Sequence, residues 1–190
     1  KLQALTEPLF DVGGVKFCSK CGKVAYTGHT FNARRAQSSA LYLYDVETGE
    51  TSCLVEDGTY SIGNFCFDNA HGEIVFSANP IKDGYPAPGN NLYAVSLKGG
   101  KVEAVYEGVP EELGCTTGCD VRYGGGNSMK AVDGVLYLVT SYDNTSGLCS
   151  LKRGEKKLHQ ITAPSFGVDF FGVSEGRFFT VGLNGTKIQE

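Results

Sequence analysis

The chain has no tryptophan, a single methionine and no excess of positive charge in its 190 residues. No apolar run approaches the roughly 18 residues that a membrane span requires. The formal net charge is -4 and no basic stripe is interleaved with aromatic residues, which argues against a nucleic-acid or anionic-membrane surface. We therefore expect neither nucleic acid nor membrane among its partners.

The chain also lacks the cysteine pattern of a disulfide-stapled secreted domain. Its seven cysteines are an odd number, which argues against a complete disulfide framework. Free thiols persist in reducing compartments, where cysteine serves as a small buried apolar residue. The cysteine usage therefore predicts a cytoplasmic protein.

Convincing helical periodicity is absent, whereas glycine is abundant along the whole chain. The 26 glycines lie among many tyrosines, phenylalanines and valines, a composition typical of short strands joined by tight turns. The pattern K-L-x-x-(L/I)-T-x-P-x-F occurs twice, at residues 1–10 and 157–166, with an offset of 156 residues. Such self-similarity indicates a repeat architecture.

Turn glycines divide the chain into units of similar content. A glycine opens a β-rich run at steps of 50, 62 and 42 residues, at Gly22, Gly72, Gly134 and Gly176. In the first three units a strand rich in leucine follows, then a turn and a shorter, more charged strand. Four antiparallel strands in about 50 residues are the signature of β-propeller blades. The repeated motif disfavours a β-sandwich, and the absence of tryptophan disfavours a WD-repeat propeller.

The predicted blades cover residues 9–57, 58–108 and 109–163, with a partial blade at 164–190. In one interpretation, a strand within residues 1–8 completes the last blade and closes a ring of four. In the other, which we favour, the chain holds about 3.5–4 blades of a larger, seven-bladed propeller. The uncovered apolar faces of such a slice would favour self-association.

Two segments share a strand motif that belongs to a known family. They are residues 22–54 (GKVAYTGHTFNARRAQSSALYLYDVETGETSCL) and 73–108 (EIVFSANPIKDGYPAPGNNLYAVSLKGGKVEAVYEG). Each has an apolar second strand, a polar loop of variable length and a third strand followed by a glycine turn. This motif resembles the propeller of the prolyl oligopeptidase family of serine peptidases, nearest to the acylaminoacyl-peptidase branch.

The resemblance implies a function for the chain. In that family a propeller caps a carboxy-terminal α/β-hydrolase domain and admits only peptides or small acylated peptides. The chain has no G-x-S-x-G nucleophile elbow and no βαβ alternation, so catalysis lies outside it. Its partners would be the hydrolase domain of the same parent chain and peptide substrates, with no cofactor. TolB-like propellers share the motif, which leaves a standalone protein-binding scaffold as the alternative.

Two loops between second and third strands are longer than a hairpin needs, residues 31–39 and 79–90. In the resembled family such loops face the peptidase domain or a neighbouring subunit. Arg34 and Arg35 in the first loop are the candidate substrate-binding residues, as cations for a substrate carboxylate. We assign no catalytic and no metal-binding residue.

Other chemistry-bearing residues have less favourable spacing. Cys18 and Cys21 have zinc-ligand spacing, but the second pair, Cys115 and Cys119, lies about two blades away in the repeat. A redox dithiol at Cys18 and Cys21 is disfavoured because no helix N-terminus lowers the thiol pKa. The residues 124–126 lack the helix of a phosphate loop, and residues 143–147 lack the ligands of a calcium loop.

The three histidines, His29, His71 and His159, lie at different positions of their blades, and none pairs with a nucleophile by spacing. Four aspartates near first strands would form an acidic channel lining. A carbohydrate-active propeller, which needs carboxylates about 5–10 Å apart, is therefore a third alternative. These aspartates are Asp11, Asp68, Asp120 and Asp169.

Overall fold

The computed structural model describes residues 4–32, 36–89, 91–107, 112–113, 128–142 and 145–184. Those ranges contain sixteen β-strands and no helix. No membrane-spanning helix is found in this part of the chain. The strands form four antiparallel sheets, which follow one another along the sequence and are numbered I to IV below.

Sheet I has four strands in sequence order. Its strands are β1 (Phe10–Cys18), β2 (Lys23–Thr30), β3 (Ala40–Asp45) and β4 (Thr51–Val55). The turn between β3 and β4 is closed by Asp45, whose Oδ1 accepts the backbone N–H groups of Glu47 and Thr48 at 2.9 and 3.2 Å. Lys23 bonds the same carboxylate and, with the two amides, lowers the pKa of Asp45. An aspartate with these local partners specifies the turn.

Sheet II repeats this order and adds a short extra strand. Its strands are β5 (Tyr60–Asp68), β6 (Glu73–Lys82), β7 (Tyr85–Pro86), β8 (Asn91–Ser96) and β9 (Glu103–Tyr106). β6 turns back onto β7 through Asp83 and Gly84, at φ 50° and 82°. Paired positive φ values of this kind suit a tight hairpin. The prediction of a plain loop over residues 79–90 is therefore wrong in part, because half of it is paired strand.

Sheet III has an interrupted first strand. Its strands are β10 (Glu112–Leu113), β11 (Met129–Val132), β12 (Val135–Tyr142), β13 (Thr145–Lys152) and β14 (His159–Gln160). Both β10 and β11 pair with the edge of β12 that does not face β13. They are therefore two pieces of one first strand, separated in sequence by residues 114–128. Thr145 to Gly147 begin β13.

Sheet IV contains β15 (Phe166–Ser174) and β16 (Arg177–Asn184). Residues 185–190 of the predicted partial blade lie outside the described residues, as do residues 1–3. Ala4 and Leu5, within the predicted amino-terminal strand, are not in a strand. The proposed blade boundaries and the completion of a blade by residues 1–8 remain predictions.

The four sheets pack face to face because their central strands are apolar on both sides. In β6, Ile74 and Phe76 face sheet I, whereas Val75 between them faces sheet III. A strand that is buried on both faces reads as a continuous apolar run, which explains the EIVFSA sequence. Three buried clusters result, one between each successive pair of sheets. The first strands β1, β5 and β11 consequently lie side by side.

Candidate functional site

The first strands carry a bulge at an equivalent position. In sheet I the bulge lies at Gly13, opposite the bond between Thr27 and Gly28, and in sheet II it covers Gly63 and Asn64. Sheet IV has it at Asp169, opposite the residues aligned with Thr27 and Gly28. A recurrent bulge is a built feature that re-aims backbone and side chains, so this level of the first strands is the first candidate site.

Hydroxyl groups complete the bulges of sheets I and II. Thr27 Oγ1 accepts the backbone N–H of Gly14 at 3.0 Å, and Ser77 Oγ accepts that of Asn64 at 3.0 Å. Thr27 and Ser77 occupy equivalent positions in their sheets, because each is the fifth residue after the turn glycine. At the bulge, the regular pairing of the first strand with the second is interrupted. The hydroxyl oxygen provides an acceptor for the amide of Gly14 or Asn64, because a buried N–H needs a hydrogen-bond partner.

In sheet III the interruption falls at the bulge level. Leu113 pairs with Thr140 and Met129 pairs with Leu138, and the Ser128 carbonyl accepts the N–H of Val139 at 2.8 Å, so the pairing along β12 is interrupted near Val139. Val139 is the fifth residue after Gly134, in register with Thr27 and Ser77. The longest insertion of the chain therefore originates from the level that bears the bulges.

A cavity of about 360 Å³ lies between β1 and β5 at this level. Backbone at Gly13, Gly63 and neighbouring residues forms part of its wall, and three ionisable side chains border it. These side chains are Asp11, Lys16 and His29. Its mixed charge and glycine-rich wall are suited to a polar chain in extended conformation, which needs close approach to backbone.

A larger cavity, of about 1140 Å³, lies at the other end of the first strands. The hairpin turns that follow the first strands of all four sheets border it. Cys18 and Cys21 come from sheet I, Asp68 from sheet II, Asp133 from sheet III and Glu175 from sheet IV. The two cavities thus mark the two ends of the space around which the first strands are arranged.

A charged cluster joins sheets II and III beside this larger cavity. Asp68 is buried, and its carboxylate accepts the N–H of Ala70 at 3.0 Å and contacts His71 Nδ1 at 2.7 Å. Glu73 pairs with Arg153 of sheet III at 3.3 Å. The donor atoms of Asp68, His71 and Glu73 lie within 4.8 Å of one another, a spacing that also suits a cation. Arg153 already provides a positive charge there, so we assign the cluster a structural role.

This cluster makes stability depend on pH. Burial raises the pKa of Glu73 above its ordinary value of 4.5, and Arg153 offsets part of that rise. The folded state therefore holds a proton that the unfolded state releases, and stability falls as pH rises through the range just above 4.5. Urea unfolding at several pH values should show the advantage of wild type over Glu73→Gln shrinking across this range. An advantage that grew with pH would contradict the assignment; Glu103→Gln is the control, since Glu103 is an exposed partner of Arg153.

The predicted substrate-binding residues Arg34 and Arg35 lie outside the described residues, as do Cys115, Cys119 and Asp120. Among the predicted aspartates, Asp11 borders the smaller cavity and Asp169 occupies a bulge. Asp68 is buried and held by His71, so it is not a free carboxylate of a channel lining. This engagement weakens the carbohydrate-active alternative.

The histidines form no catalytic pair in the described part of the chain. His71 contacts Asp68, and His159 contacts Glu155 at 3.4 Å. Within the described ranges, no serine or cysteine is hydrogen-bonded to His29, His71 or His159. A serine or cysteine nucleophile activated by histidine needs that contact.

Sequence reasoning missed the bulges and the charged cluster. The sequence did carry a signal for the bulges. Two adjacent residues of low β propensity interrupt each strand pattern, at Gly13-Gly14 and at Gly63-Asn64. Arg153 and Glu73 are 80 positions apart, and no local pattern connects them.

The arrangement of the four sheets is similar to that of proteins with known structures. No family model matches the chain, and no curated protein matches it. The propeller domain of the trilobed protease from Pyrococcus furiosus is similar in structure, with a TM-score of 0.64 and 14% identity over 97% of this chain and 51% of that one. The fold is a β-propeller. The four sheets are its blades, and the predicted fold class is confirmed.

Other propellers of solved structure are also similar. Pyrococcus horikoshii acylaminoacyl peptidase has a TM-score of 0.62 and 15% identity over 89% of this chain and 24% of that one. TolB from Acinetobacter baumannii has a TM-score of 0.57 and 12% identity over 97% of this chain and 44% of that one. The chain thus spans about half or less of each of these proteins, which fits a slice of a propeller. Identities this low establish the fold alone.

Proposed function

We propose that the chain is the non-catalytic propeller portion of a cytoplasmic serine peptidase that resembles acylaminoacyl peptidases and prolyl oligopeptidases. Its role is to gate and size-select peptide substrates for an α/β-hydrolase domain outside these 190 residues. Residues 1–190 act as a single propeller unit in this proposal. Arg34 and Arg35 are the proposed contacts to a substrate carboxylate.

The arrangement of the first strands carries this proposal. They lie side by side with a cavity at each end, and backbone bulges line the smaller one. An extended peptide could meet glycine backbone and mixed charge there without meeting a nucleophile. The similarity to a propeller of a protease and to an acylaminoacyl peptidase supports the choice of a peptidase. The free thiols of Cys18, Cys21, Cys53, Cys66 and Cys149 are compatible with a reducing cytoplasm.

The second candidate is a standalone scaffold propeller that binds proteins. Its support is the similarity to TolB, which is only slightly weaker than the similarity to the peptidases. Reading the parent reading frame past residue 190 separates the two candidates. Further strand repeats followed by G-x-S-x-G would favour the peptidase, and their absence would favour the scaffold.

The isolated chain is expected to hydrolyse neither acylated nor peptidyl chromogenic substrates, because the described residues hold no nucleophile–histidine pair. The measurement is product release over time with the purified, folded chain. Heat-unfolded chain is the control for contaminating peptidase. Turnover that rises with the amount of folded chain and disappears on unfolding would overturn the proposal.

A further inference from the structure

The hairpin turn between β1 and β2 places two cysteines together. Cys18 is the last residue of β1, and Cys21 follows three positions later, before Gly22 at φ 64°. The Cys21 thiol lies 3.9 Å from the carbonyl oxygen of Cys18, which a sulfur donor can reach. Both cysteines are free thiols, and both border the larger cavity. Cys18 is buried and its thiol donates to Asn69 Oδ1 at 3.1 Å, whereas Cys21 is partly exposed.

Backbone amides point at both sulfur atoms. The N–H of Cys21 donates to Cys18 Sγ at 3.2 Å, and the backbone of Lys23 donates to the thiol of Cys21. Hydrogen bonds of this kind stabilise a thiolate, although at Cys21 burial and the neighbouring Cys18 side chain outweigh them and raise the pKa of the free thiol. Gly22 allows the arrangement, because its positive φ turns the chain so that the amide of Lys23 reaches back to the preceding sulfur. The two donating amides, those of Cys21 and Lys23, lie in the turn or directly after it.

The equivalent turn of sheet II shows what these positions normally do. Asp68 and His71 occupy the same places as Cys18 and Cys21, before Gly72, and they form a direct side-chain contact at 2.7 Å. An aspartate and a histidine thus suffice to close this turn. The two cysteines of sheet I are therefore not required for the turn itself, although Cys18 also packs in the core between sheets I and II with Cys21 against it.

We propose that Cys18 and Cys21 bind a thiophilic d¹⁰ metal ion, with Cu⁺ favoured over Zn²⁺. Soft thiolates select these ions, and C-x-x-C is a common ligand spacing. Two thiolates complete the coordination of Cu⁺, whereas Zn²⁺ prefers four ligands. Among the described residues, no third metal-ligating side chain joins the pair within ligand distance, which favours the ion of lower coordination number.

Binding releases two protons. Each S–H bond is replaced by a sulfur–metal bond, both protons pass to solvent, and no electron is transferred. Burial raises the pKa of the Cys21 thiol to about 11, so Cys21 carries its proton at neutral pH. A thiol pKa this high also makes attack by Cys21 on a disulfide slow, unlike the attacking thiol of a redox dithiol.

The test is an anaerobic titration of the purified chain with Cu⁺, in competition with a coloured Cu⁺ chelator, and in parallel with Zn²⁺. A Cys53→Ser/Cys115→Ser/Cys119→Ser background removes the exposed cysteine and the second predicted pair. We expect about one Cu⁺ per chain in this background and in wild type, with a sulfur-to-metal charge-transfer band. The Cys18→Asp/Cys21→His variant, which copies the turn of sheet II, should lose affinity by more than about 100-fold.

Equal Cu⁺ affinity in Cys18→Asp/Cys21→His and in wild type would overturn the proposal, as would the absence of binding by wild type. Tighter binding of Zn²⁺ than of Cu⁺ would overturn the preference for Cu⁺. If the background variant does not unfold cooperatively, wild type is used in its place. X-ray absorption at the metal edge of the wild-type complex should then report two sulfur neighbours. None of these readouts depends on the peptidase proposal.

Discussion

Phe76→Ala is expected to lower the free energy of unfolding by about 3–5 kcal/mol. Phe76 has no exposed surface and fills the cluster between sheets I and II, where its ring lies 5.9 Å from that of Tyr60 and 5.8 Å from that of Tyr93. Its removal leaves a cavity that the two flanking sheets cannot close, because each is held by its own ladder of hydrogen bonds. Urea unfolding followed by circular dichroism measures the loss.

Phe31→Ala is the matched control, because it deletes the same side chain at a site that is 54% exposed. We expect it to change the unfolding free energy by less than about 1 kcal/mol. Similar losses in the two variants would mean that sheets I and II do not pack through Phe76. The prediction therefore tests the face-to-face stacking of the blades.

Gly28→Ala is expected to cost about 3 kcal/mol or more, through a clash that the backbone cannot relieve. A Cβ at this position would overlap the carbonyl oxygen of Asp11 and the ring of Phe10. Gly28 pairs with Val12 directly beside the bulge of β1, so any shift of the strand disturbs the bulge. Thermal or urea unfolding of the purified variant measures the effect.

Gly172→Ala is the control for this substitution. Gly172 also lies in a paired strand, but a Cβ there meets no atom within 4 Å, and its φ needs no glycine. We expect Gly172→Ala to be neutral or slightly stabilising, since alanine reduces the entropy of the unfolded chain. A loss as large as that of Gly28→Ala would show that glycine content, and not the close approach at the bulge, sets the cost.

The repeat pattern was sufficient to predict the blades because it reflects local geometry. Gly22, Gly72, Gly134 and Gly176 all have φ between 64° and 78°, a region that favours glycine, so each marks the turn between first and second strands. Apolar runs such as Ile74–Phe76 then located the most buried strand of each sheet. These signals lie within a few residues of the feature that they predict.

Features that depend on contacts between residues far apart in the sequence were out of reach of sequence reasoning. The first strand of sheet III is split around residues 114–128, and only its pairing with β12 shows that Leu113 and Met129 belong to one strand position. The Cys18–Asn69 contact at 3.1 Å and the Arg153–Glu73 pair join residues of different sheets. Two sulfur atoms in one turn were visible as C-x-x-C, but the amides that face them were not.

The peptide-length dependence of hydrolysis tests the gating role most directly. The measurement compares kcat/KM for a short acylated peptide with that for the same sequence within a long polypeptide. It uses the protein that carries this chain together with its hydrolase domain. Gating predicts a strong preference for the short peptide in wild type. Equal rates on both substrates in wild type, or turnover by the isolated chain, would contradict the proposed function.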